Sequence, residues 1–581
     1  MSEHSERANV LGRWVVDDEP SVKYPIYTRG NVGEVFPAVV TPLTWSALGH
    51  QAELGWRDAF AAFGAIRPED YGNDHMAILG VFNGYCYLNV SLIRVFAVRT
   101  PGITVADMDR QFFGESDAPP YAKRADDKNL RASLKVGGTL LKILNKKALP
   151  ELERDKARVA TWLATLPDPA GSSDDELVKV VDEFRHLFRH LFCSHILTTF
   201  QATVGPGLVA QICDGKLGDP TLPNKLLAGI GSVESAAPSF ALWKLGRMVA
   251  ADATLTALFD AGADGLADRL DTEPGAKAFN EEFAAFKTEF GSRGPNEWEG
   301  SSPTWGTKPA LALAAVDRMR HADESHDPAL QQARLETERR DATASARGRL
   351  KGLTRMQFDR ALRSAQLFSQ GRERSKTTII RAIHGMRLAE LELARRARDR
   401  GGPPELADLW LLKFDELRDY VASPAGFTAV LDERRRLRDQ LAALVPPFVF
   451  EGTQPAPSTW TRRDADSGTV AAGAELKGIA GCPGKARGRA RVVLDPLDPR
   501  GLGPGEVLVA PITDPSWTPL FVPAEAVVVD VGAQMSHAVI VSRELGIPAV
   551  VSVTGATTTI PDGALLEVDG DRGVVTILEL P

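Results

Sequence analysis

The stretch VVVDVGAQMSHAVIVSRELGIPAVV, residues 527–551, carries in turn the signals of a strand, a helix and a second strand. The opening Val-rich run favours a strand, and Gly532 permits a sharp exit from it. Ser536 is a preferred N-cap residue, and the pattern predicts a helix from about His537 to Leu545. The glycine and proline that follow suit a helix end. The sequence therefore places His537 in the first turn of a short helix.

This position prepares His537 for phosphate chemistry. The first N–H groups of a helix lack intrahelical partners and carry the positive end of the dipole, so they stabilise a phosphate. The same field opposes the imidazolium ion and keeps the lone pair that attack on phosphorus requires. The local pattern thus makes His537 a candidate carrier of a phosphoryl group, with Ser536 and Gly532 supporting it. The alternative is a histidine that only caps the helix, and the local pattern does not choose between them.

The residues around this stretch predict a compact β-rich α/β module over 475–581. Short Val-rich runs follow one another there, with Asp-Gly pairs suited to the turns between several of them. The predicted strands are 490–494, 506–510, 526–531, 549–553, 565–568 and 574–578.

The preceding residues, 47–450, predict a large and mostly α-helical domain. One apolar set has the i, i+3, i+4 spacing of an amphipathic helix: Phe184, Leu187, Phe188, Leu191 and Phe192. Residues 356–367 and 377–398 are long, charged and almost free of Gly and Pro, as packed helices are. Gly/Pro breaks at 205–207, 291–295 and 401–404 are expected to separate the helices.

Two further segments complete the predicted organisation. Residues 1–46 are expected to be an extended N-terminal segment that packs on the helical domain. Residues 451–474 are rich in Pro, Ser, Thr, Ala and Gly, a composition typical of a flexible linker. The fold class that follows is multi-domain, with a large helical domain joined by a loose linker to a mobile α/β module.

Composition narrows the function classes. A chain of 581 residues exceeds one hydrophobic core, and a net charge of -8 argues against a general affinity for nucleic acid or anionic membrane. The four cysteines form no C-x-x-C pair, and residues 1–9 lack an apolar signal-peptide core. We expect a cytoplasmic protein. His186 with His190, and His321 with His326, lack an evident third ligand, so we predict no metal site.

The segment MSHAVIVSRELGIPAV, 535–550, resembles the phosphohistidine signature of the swivelling domain in phosphoenolpyruvate-utilising enzymes. Three further stretches resemble other parts of that domain: GIAGCPGKARGRARVV at 478–493, PITDPSWTPLF at 511–521 and DGALLEVDGDRGVVTI at 562–577. One departure is Ala533, where many relatives have a second glycine. The resemblance implies a swivelling phosphohistidine domain with His537 as its carrier.

The helical part is similar to the central, acceptor-binding domain of rifampicin phosphotransferase and related proteins. The stretches that carry this similarity are TRGNVGEVFPAVVTPLTW at 28–45, GYCYLNVSLIR at 84–94, FGSRGPNEWEGSSPTWGTKP at 290–309 and, more weakly, RERSKTTIIRAIHGMR at 372–387. It implies that Lys308 is the cation for phosphoryl transfer. Arg293 and Glu297 are further candidates for phosphate contact and for orientation or proton acceptance. Where relatives place an arginine before the tryptophan, this chain has Thr304. A structural ion pair between Arg293 and Glu297, and a plain surface role for Lys308, are the alternatives.

No ATP-grasp domain and no Walker-type phosphate loop are evident in these residues. We therefore expect ATP and Mg²⁺ to be bound by a separate ATP-grasp subunit. That division is known in phenylphosphate synthase and 4-methylphenyl phosphate synthase, which the chain also resembles. The resemblance implies that His537 takes a phosphoryl group as ATP becomes AMP and phosphate, and passes it to a small, phenolic hydroxyl. An antibiotic phosphotransferase component, and a non-catalytic phosphohistidine regulatory or binding subunit, are the alternatives.

Overall fold

The computed structural model describes residues 12–113, 118–231, 234, 236–463, 470–494, 502–503, 505–514, 517–532 and 536–581. Residues 12–463 form a mostly helical body and residues 470–581 a strand-rich module, which confirms the predicted fold class. The helices of the body are α1 Val32–Val35, α2 Pro42–Thr44, α3 His50–Phe63, α4 Val90–Arg99, α5 Val105–Phe113, α6 Leu130–Asn145, α7 Pro150–Thr165, α8 Asp174–Ile212, α9 Leu222–Leu226, α10 Ala237–Ala251, α11 Ala253–Asp260, α12 Leu266–Thr272, α13 Lys277–Phe290, α14 Ala310–His321, α15 Pro328–Arg349, α16 Gly352–Asp399, α17 Leu417–Ala422 and α18 Thr428–Ala442.

Helices α8 and α16 pack along each other and form the axis of the body. The predicted amphipathic helix is part of α8, which buries Phe184, Phe188 and Leu191. The break predicted at 205–207 is wrong, because α8 continues through it. A Cβ at Gly205 would lie 2.4 Å from the backbone nitrogen of Ala365, so this glycine permits close helix packing and does not end the helix.

Helix α16 also joins two predicted helices, 356–367 and 377–398, into one of 48 residues. It carries its own close-contact glycine, since a Cβ at Gly371 would lie 2.4 Å from the Leu149 side chain. The predicted breaks at 291–295 and 401–404 are confirmed, because α13 ends at Phe290 and α16 at Asp399.

A four-stranded antiparallel sheet lies at one end of the body. Its strands are β1 Ile26–Thr28, β2 Leu79–Phe82, β3 Tyr85–Asn89 and β5 Val449–Glu451, in the order β2-β3-β1-β5. A separate pair joins β4 Leu444–Val445 to β6 Thr461–Arg462. The N-terminal segment therefore supplies β1, which is an inner strand of the four-stranded sheet.

The module is built on one eight-stranded sheet in the order β7-β14-β13-β9-β10-β11-β12-β8. Strands β9 to β12 are mutually parallel and the outer pairings are antiparallel. All six predicted strands are present, and two more precede them. The elements are β7 Glu475–Lys477, β8 Ile479–Cys482, β9 Lys485–Val492, β10 Glu506–Ala510, α19 Thr518–Phe521, β11 Ala526–Val529, α20 His537–Leu545, β12 Ala549–Val551, α21 Ala556–Thr559, β13 Leu565–Asp569 and β14 Val574–Glu579.

The module is docked on the body through a shared apolar core. Val539 and Leu545 of α20 belong to the same buried cluster as Leu313 and Val316 of α14. Burial of apolar surface stabilises a fold by roughly 25 cal/mol per Å². The helix that begins at His537 is therefore held between the module's own sheet and the helices of the body.

The predicted linker, 451–474, is only in part described, since 464–469 lie outside the described residues. Its first part packs on the body. The Gln454 side chain is buried, donates to the hydroxyl of Tyr87 at 2.7 Å and accepts from the amide of Asn83 at 2.6 Å. The connection is thus anchored to the body at its beginning.

Within the part of the chain that the structure describes, one helical stretch, Asp174–Leu217, would be able to cross a bilayer by length and composition. It contains α8, whose apolar residues face α16 and α3. The core helix of a globular body has the same character.

Candidate active site

His537 is the first residue of α20, as predicted. Ser536 is its N-cap in extended conformation (φ -69°, ψ 162°), and its hydroxyl accepts from the Val539 N–H at 3.5 Å. At the other end, Gly546 adopts the left-handed conformation with φ 69°. Ala533 lies outside the described residues.

Gly532 is needed for space rather than for an unusual backbone conformation. A Cβ there would lie 3.0 Å from the Cβ of Val551 and 3.3 Å from the Ser536 hydroxyl. Any larger residue would therefore displace the N-cap on which the His537 helix begins.

The imidazole of His537 is held by two hydroxyls and one ring. Its Nδ1 lies 3.3 Å from the hydroxyl of Thr513, and its Nε2 lies 3.2 Å from that of Thr518. Phe521 makes an edge-to-face contact at 5.8 Å. A neutral imidazole has one N–H donor and one acceptor nitrogen, and a hydroxyl can serve either. Both tautomers are therefore satisfied.

The surroundings keep this ring neutral. Burial lowers the pKa of His537 well below 6.5, and the nearby charges of Lys376, Arg293 and Arg372 lower it further. Both effects disfavour the imidazolium ion. The docked ring thus keeps the lone pair that a phosphoryl acceptor needs.

We predict that His537 in the docked protein does not gain a proton as the pH falls through 6.5. A histidine with an ordinary pKa near 6.5 gains its proton there, whereas burial and the nearby cations keep the pKa of the docked ring well below that value. Docking should also weaken as the pH falls below about 6.5, because a released ring binds a proton that the docked ring does not. The measurement is the ¹³Cε1 NMR resonance of labelled histidine, assigned by its loss in His537→Asn. A midpoint near 6.5 in the docked protein would contradict the prediction.

His537 is only 7% exposed, but it lines a cavity of about 960 Å³ between the module and the body. The lining combines apolar and aromatic side chains with polar and charged ones. The aromatic and thioether residues are Phe36, Trp45, Trp56, Phe96, Met108, Phe112, Phe188, Phe192, Phe200 and Trp298. The polar and charged residues of the lining include His195, Asn296, Glu297, Arg372, Glu373, Lys376, Thr513 and Asp514.

Three cationic side chains of the body, Lys376, Arg293 and Arg372, lie close enough to the imidazole to lower its pKa. Lys376 and Arg372 lie on α16 one turn apart, and both line the cavity. Arg293 is 2% exposed, and its Nε lies 3.4 Å from the carboxylate of Glu297. The ammonium of Lys376 lies 3.2 Å from the same carboxylate. Cations placed in this way can balance the equatorial oxygens of a transferring phosphoryl group.

The predicted residues are only partly brought together. Glu297 lines the cavity, and Arg293 lies close enough to affect the His537 pKa. The ion pair between these two, the structural alternative, is present. Lys308 is exposed, precedes α14 and is not among the residues that line the cavity. Thr304 is buried, with its hydroxyl 3.4 Å from Nδ1 of His384.

Sequence reasoning missed Lys376 and Arg372 as individual residues. A signal was present, since they stand four apart in RERSKTTIIRAIHGMR and so share one face of a helix. The same spacing occurs elsewhere in this Arg-rich chain, and only the docked module shows which face lines the cavity.

The tryptophans and histidines considered from the sequence lie in different parts of the structure. Trp45 and Trp298 line the cavity, whereas Trp305 packs against Phe286 in the core of the body. His186 and His321 are exposed. Among the described residues, no group of three or more His, Cys, Asp or Glu side chains is placed to hold a metal ion.

A buried carboxylate holds the module in its docked position. Glu544, on α20, accepts from the backbone N–H groups of Ile230 and Gly231 of the body, each at 3.1 Å. Burial raises the pKa of this carboxyl. The contact ties the helix that begins at His537 to a loop of the body.

We predict that Glu544→Ala loosens docking without unfolding either part. Two buried N–H groups would lose their acceptor, which costs about 1–3 kcal/mol each. Amide hydrogen exchange at Ile230 and Gly231 should then accelerate. Glu579→Gln, which changes an exposed carboxylate of the module, is the control. Equal exchange rates in the two variants would show that Glu544 does not hold the module.

Two family models match the chain. Residues 194–373 match the fourth domain of rifampicin phosphotransferase, and residues 502–573 match the mobile domain of PEP-utilising enzymes. The second match spans α20 and His537.

Curated relatives extend the similarity over the body. The chain is 28% identical to the prodigiosin synthesizing transferase PigC of Serratia marcescens over 593 residues, 97% of this chain and 64% of PigC. It is 33% identical to a rifampicin phosphotransferase of a Streptomyces species over 324 residues, 54% of this chain and 36% of that protein. The Bacillus subtilis rifampicin phosphotransferase is 27% identical over 323 residues, again 54% of this chain and 36% of that protein. The chain thus spans from about a third to under two thirds of these proteins. The chain is thus similar to rifampicin phosphotransferase over part of its body and to phosphoenolpyruvate-utilising enzymes over the module that carries His537.

Proposed function

We propose that this chain carries a phosphoryl group on His537 and transfers it to a hydroxyl of an aromatic acceptor bound in the cavity. One observation carries the proposal. The neutral imidazole at the start of α20 lines the same cavity as an aromatic surface and two cations of the body. A helix-capping histidine needs neither the cavity nor the cations.

The docked arrangement suits the second half of such a reaction. The acceptor oxygen attacks phosphorus as the bond from phosphorus to the imidazole nitrogen breaks. The acceptor proton ends on the imidazole, which returns to its neutral form. Lys376 and Arg372 balance the charge on the equatorial oxygens, and Glu297 positions the Lys376 ammonium.

The first half of the reaction places other demands on the protein. We propose that ATP with Mg²⁺ is bound by a separate ATP-grasp chain and ends as AMP and phosphate. The Glu544 contact and the apolar interface are what the module would release to reach that partner. We further propose that the reaction takes place in the cytoplasm.

The cavity supports an aromatic acceptor and favours one larger than a simple phenol. Its volume of about 960 Å³ lies near the upper end of the range of roughly 300–1,000 Å³ for small-molecule sites. Aromatic walls suit planar rings. A multi-ring hydroxylated molecule, as in the antibiotic-type alternative, uses this space better than a single ring. Two relatives are named rifampicin phosphotransferase, which agrees with this preference.

The test combines this chain with the ATP-grasp protein that the proposal requires and with ATP labelled at the β-phosphate. We expect acid-labile label on this chain and its discharge by a hydroxylated aromatic compound, with AMP formed in proportion. Single-ring and multi-ring phenols are compared as acceptors. If no hydroxyl compound discharges the label, the phosphohistidine is better explained by a regulatory role, and the transferase proposal is refuted.

A further inference from the structure

A second pocket, of about 390 Å³, lies on the body and shares no lining residue with the cavity at His537. It is enclosed by the end of α7, the beginning of α8, the end of α13 and the middle of α16. Its apolar wall consists of Leu163, Leu166, Leu177, Val180, Leu388 and Ala389. The volume is within the usual range for a small-molecule site.

The polar side of this pocket has donors without acceptors. Arg381 and Lys287 line it, and among the described residues no carboxylate lies within 4.0 Å of either charged group. Ser292 is 7% exposed, and its hydroxyl has no hydrogen-bond partner in the described chain. An unpartnered buried hydroxyl costs about 1–3 kcal/mol, so a ligand oxygen there is favoured.

Charges at the mouth restrict the ligand further. Asp168 and Glu289 also line the pocket and are exposed, whereas Arg381 and Lys287 are half-buried. The two outer carboxylates reduce the positive potential of the two cations. A single negative charge is therefore better matched than a doubly charged phosphate.

We propose that this pocket binds a small apolar carboxylic acid, with the carboxylate on Arg381, Lys287 and Ser292 and the apolar body on the leucine wall. The pocket touches the two segments that carry the active-site cations. Ser292 directly precedes Arg293, and Arg381 follows Lys376 by five residues on α16. A bound acid would thus lie behind those cations without entering the acceptor cavity.

Calorimetric titration of the full chain with 4-phenylbutyrate tests the proposal, and 4-phenylbutan-1-ol and 4-phenylbutyl phosphate serve as matched probes. We expect the carboxylate to bind more tightly than the other two. Arg381→Met should weaken its binding about tenfold or more, because a charge-assisted contact is lost. Arg355→Met, an exposed arginine on the same helix, should leave binding unchanged.

A second pair of variants locates the binding. Leu388 is 40% exposed at the pocket, so charged replacements there should be tolerated by the fold. Leu388→Glu should repel 4-phenylbutyrate, and Leu388→Lys should retain it. The proposal is overturned by any of four results: the acid gives no binding, the alcohol or the phosphate binds as tightly, Arg381→Met matches Arg355→Met, or the two Leu388 variants bind equally.

Discussion

His537→Asn should leave no acid-labile phosphoryl group on this chain when it is incubated with the proposed ATP-grasp partner and β-labelled ATP. Asparagine keeps a polar side chain at the start of α20 but has no nitrogen nucleophile, so labelling should fall by at least about 10⁴-fold. The assay is retained radioactivity after gel filtration, with stability in alkali and loss in acid as the signature of a bond from phosphorus to nitrogen.

Two controls separate this result from a folding defect. His326→Asn changes a histidine that does not line the cavity and should be labelled like the natural chain. The thermal unfolding midpoint of His537→Asn should remain close to that of the natural chain, since the replaced ring is small. Label that persists in the folded His537→Asn protein would remove the central residue from the proposed mechanism.

Lys376→Met should slow the discharge of the labelled protein by the acceptor about 10²- to 10³-fold while the labelling step changes little. Methionine keeps most of the side-chain volume and removes the charge that lies 3.2 Å from Glu297 beside the acceptor cavity. Loss of one preorganised group that stabilises transition-state charge has an effect of this size. The measurement is single-turnover decay of isolated phosphoprotein on addition of acceptor.

Lys308→Met is the matched control, since that lysine was expected at the site from sequence but is exposed and does not line the cavity. It should discharge at the natural rate. Arg372→Met should act in the same direction as Lys376→Met, because both residues lower the pKa of His537 from the body's side. Equal discharge by Lys376→Met and Lys308→Met would show that transfer does not use the α16 cations.

Patterns confined to one segment could be predicted from the sequence. The helix His537–Leu545, its Ser536 cap and its Gly546 end follow from local rules on capping and turns, and the strands follow from short Val-rich runs bounded by turn residues. Helix ends at 291–295 and 401–404 were predicted for the same reason. The continuation of α8 through Gly205 could not be predicted in this way. This glycine allows the close approach of Ala365, which lies on a distant helix.

The candidate site also has a part that local sequence predicts and a part that depends on tertiary packing. The sequence by itself determined that a histidine stands at the positive end of a short helix, because the hydrogen-bonding demands of a helix terminus are local. Only the tertiary structure decided which body residues meet that histidine. It brought Lys376 and Arg372 to the cavity and left Lys308 at the surface. A contact between residues more than a hundred positions apart depends on how the sheet, α16 and the docked module pack, and no spacing within one segment encodes that packing.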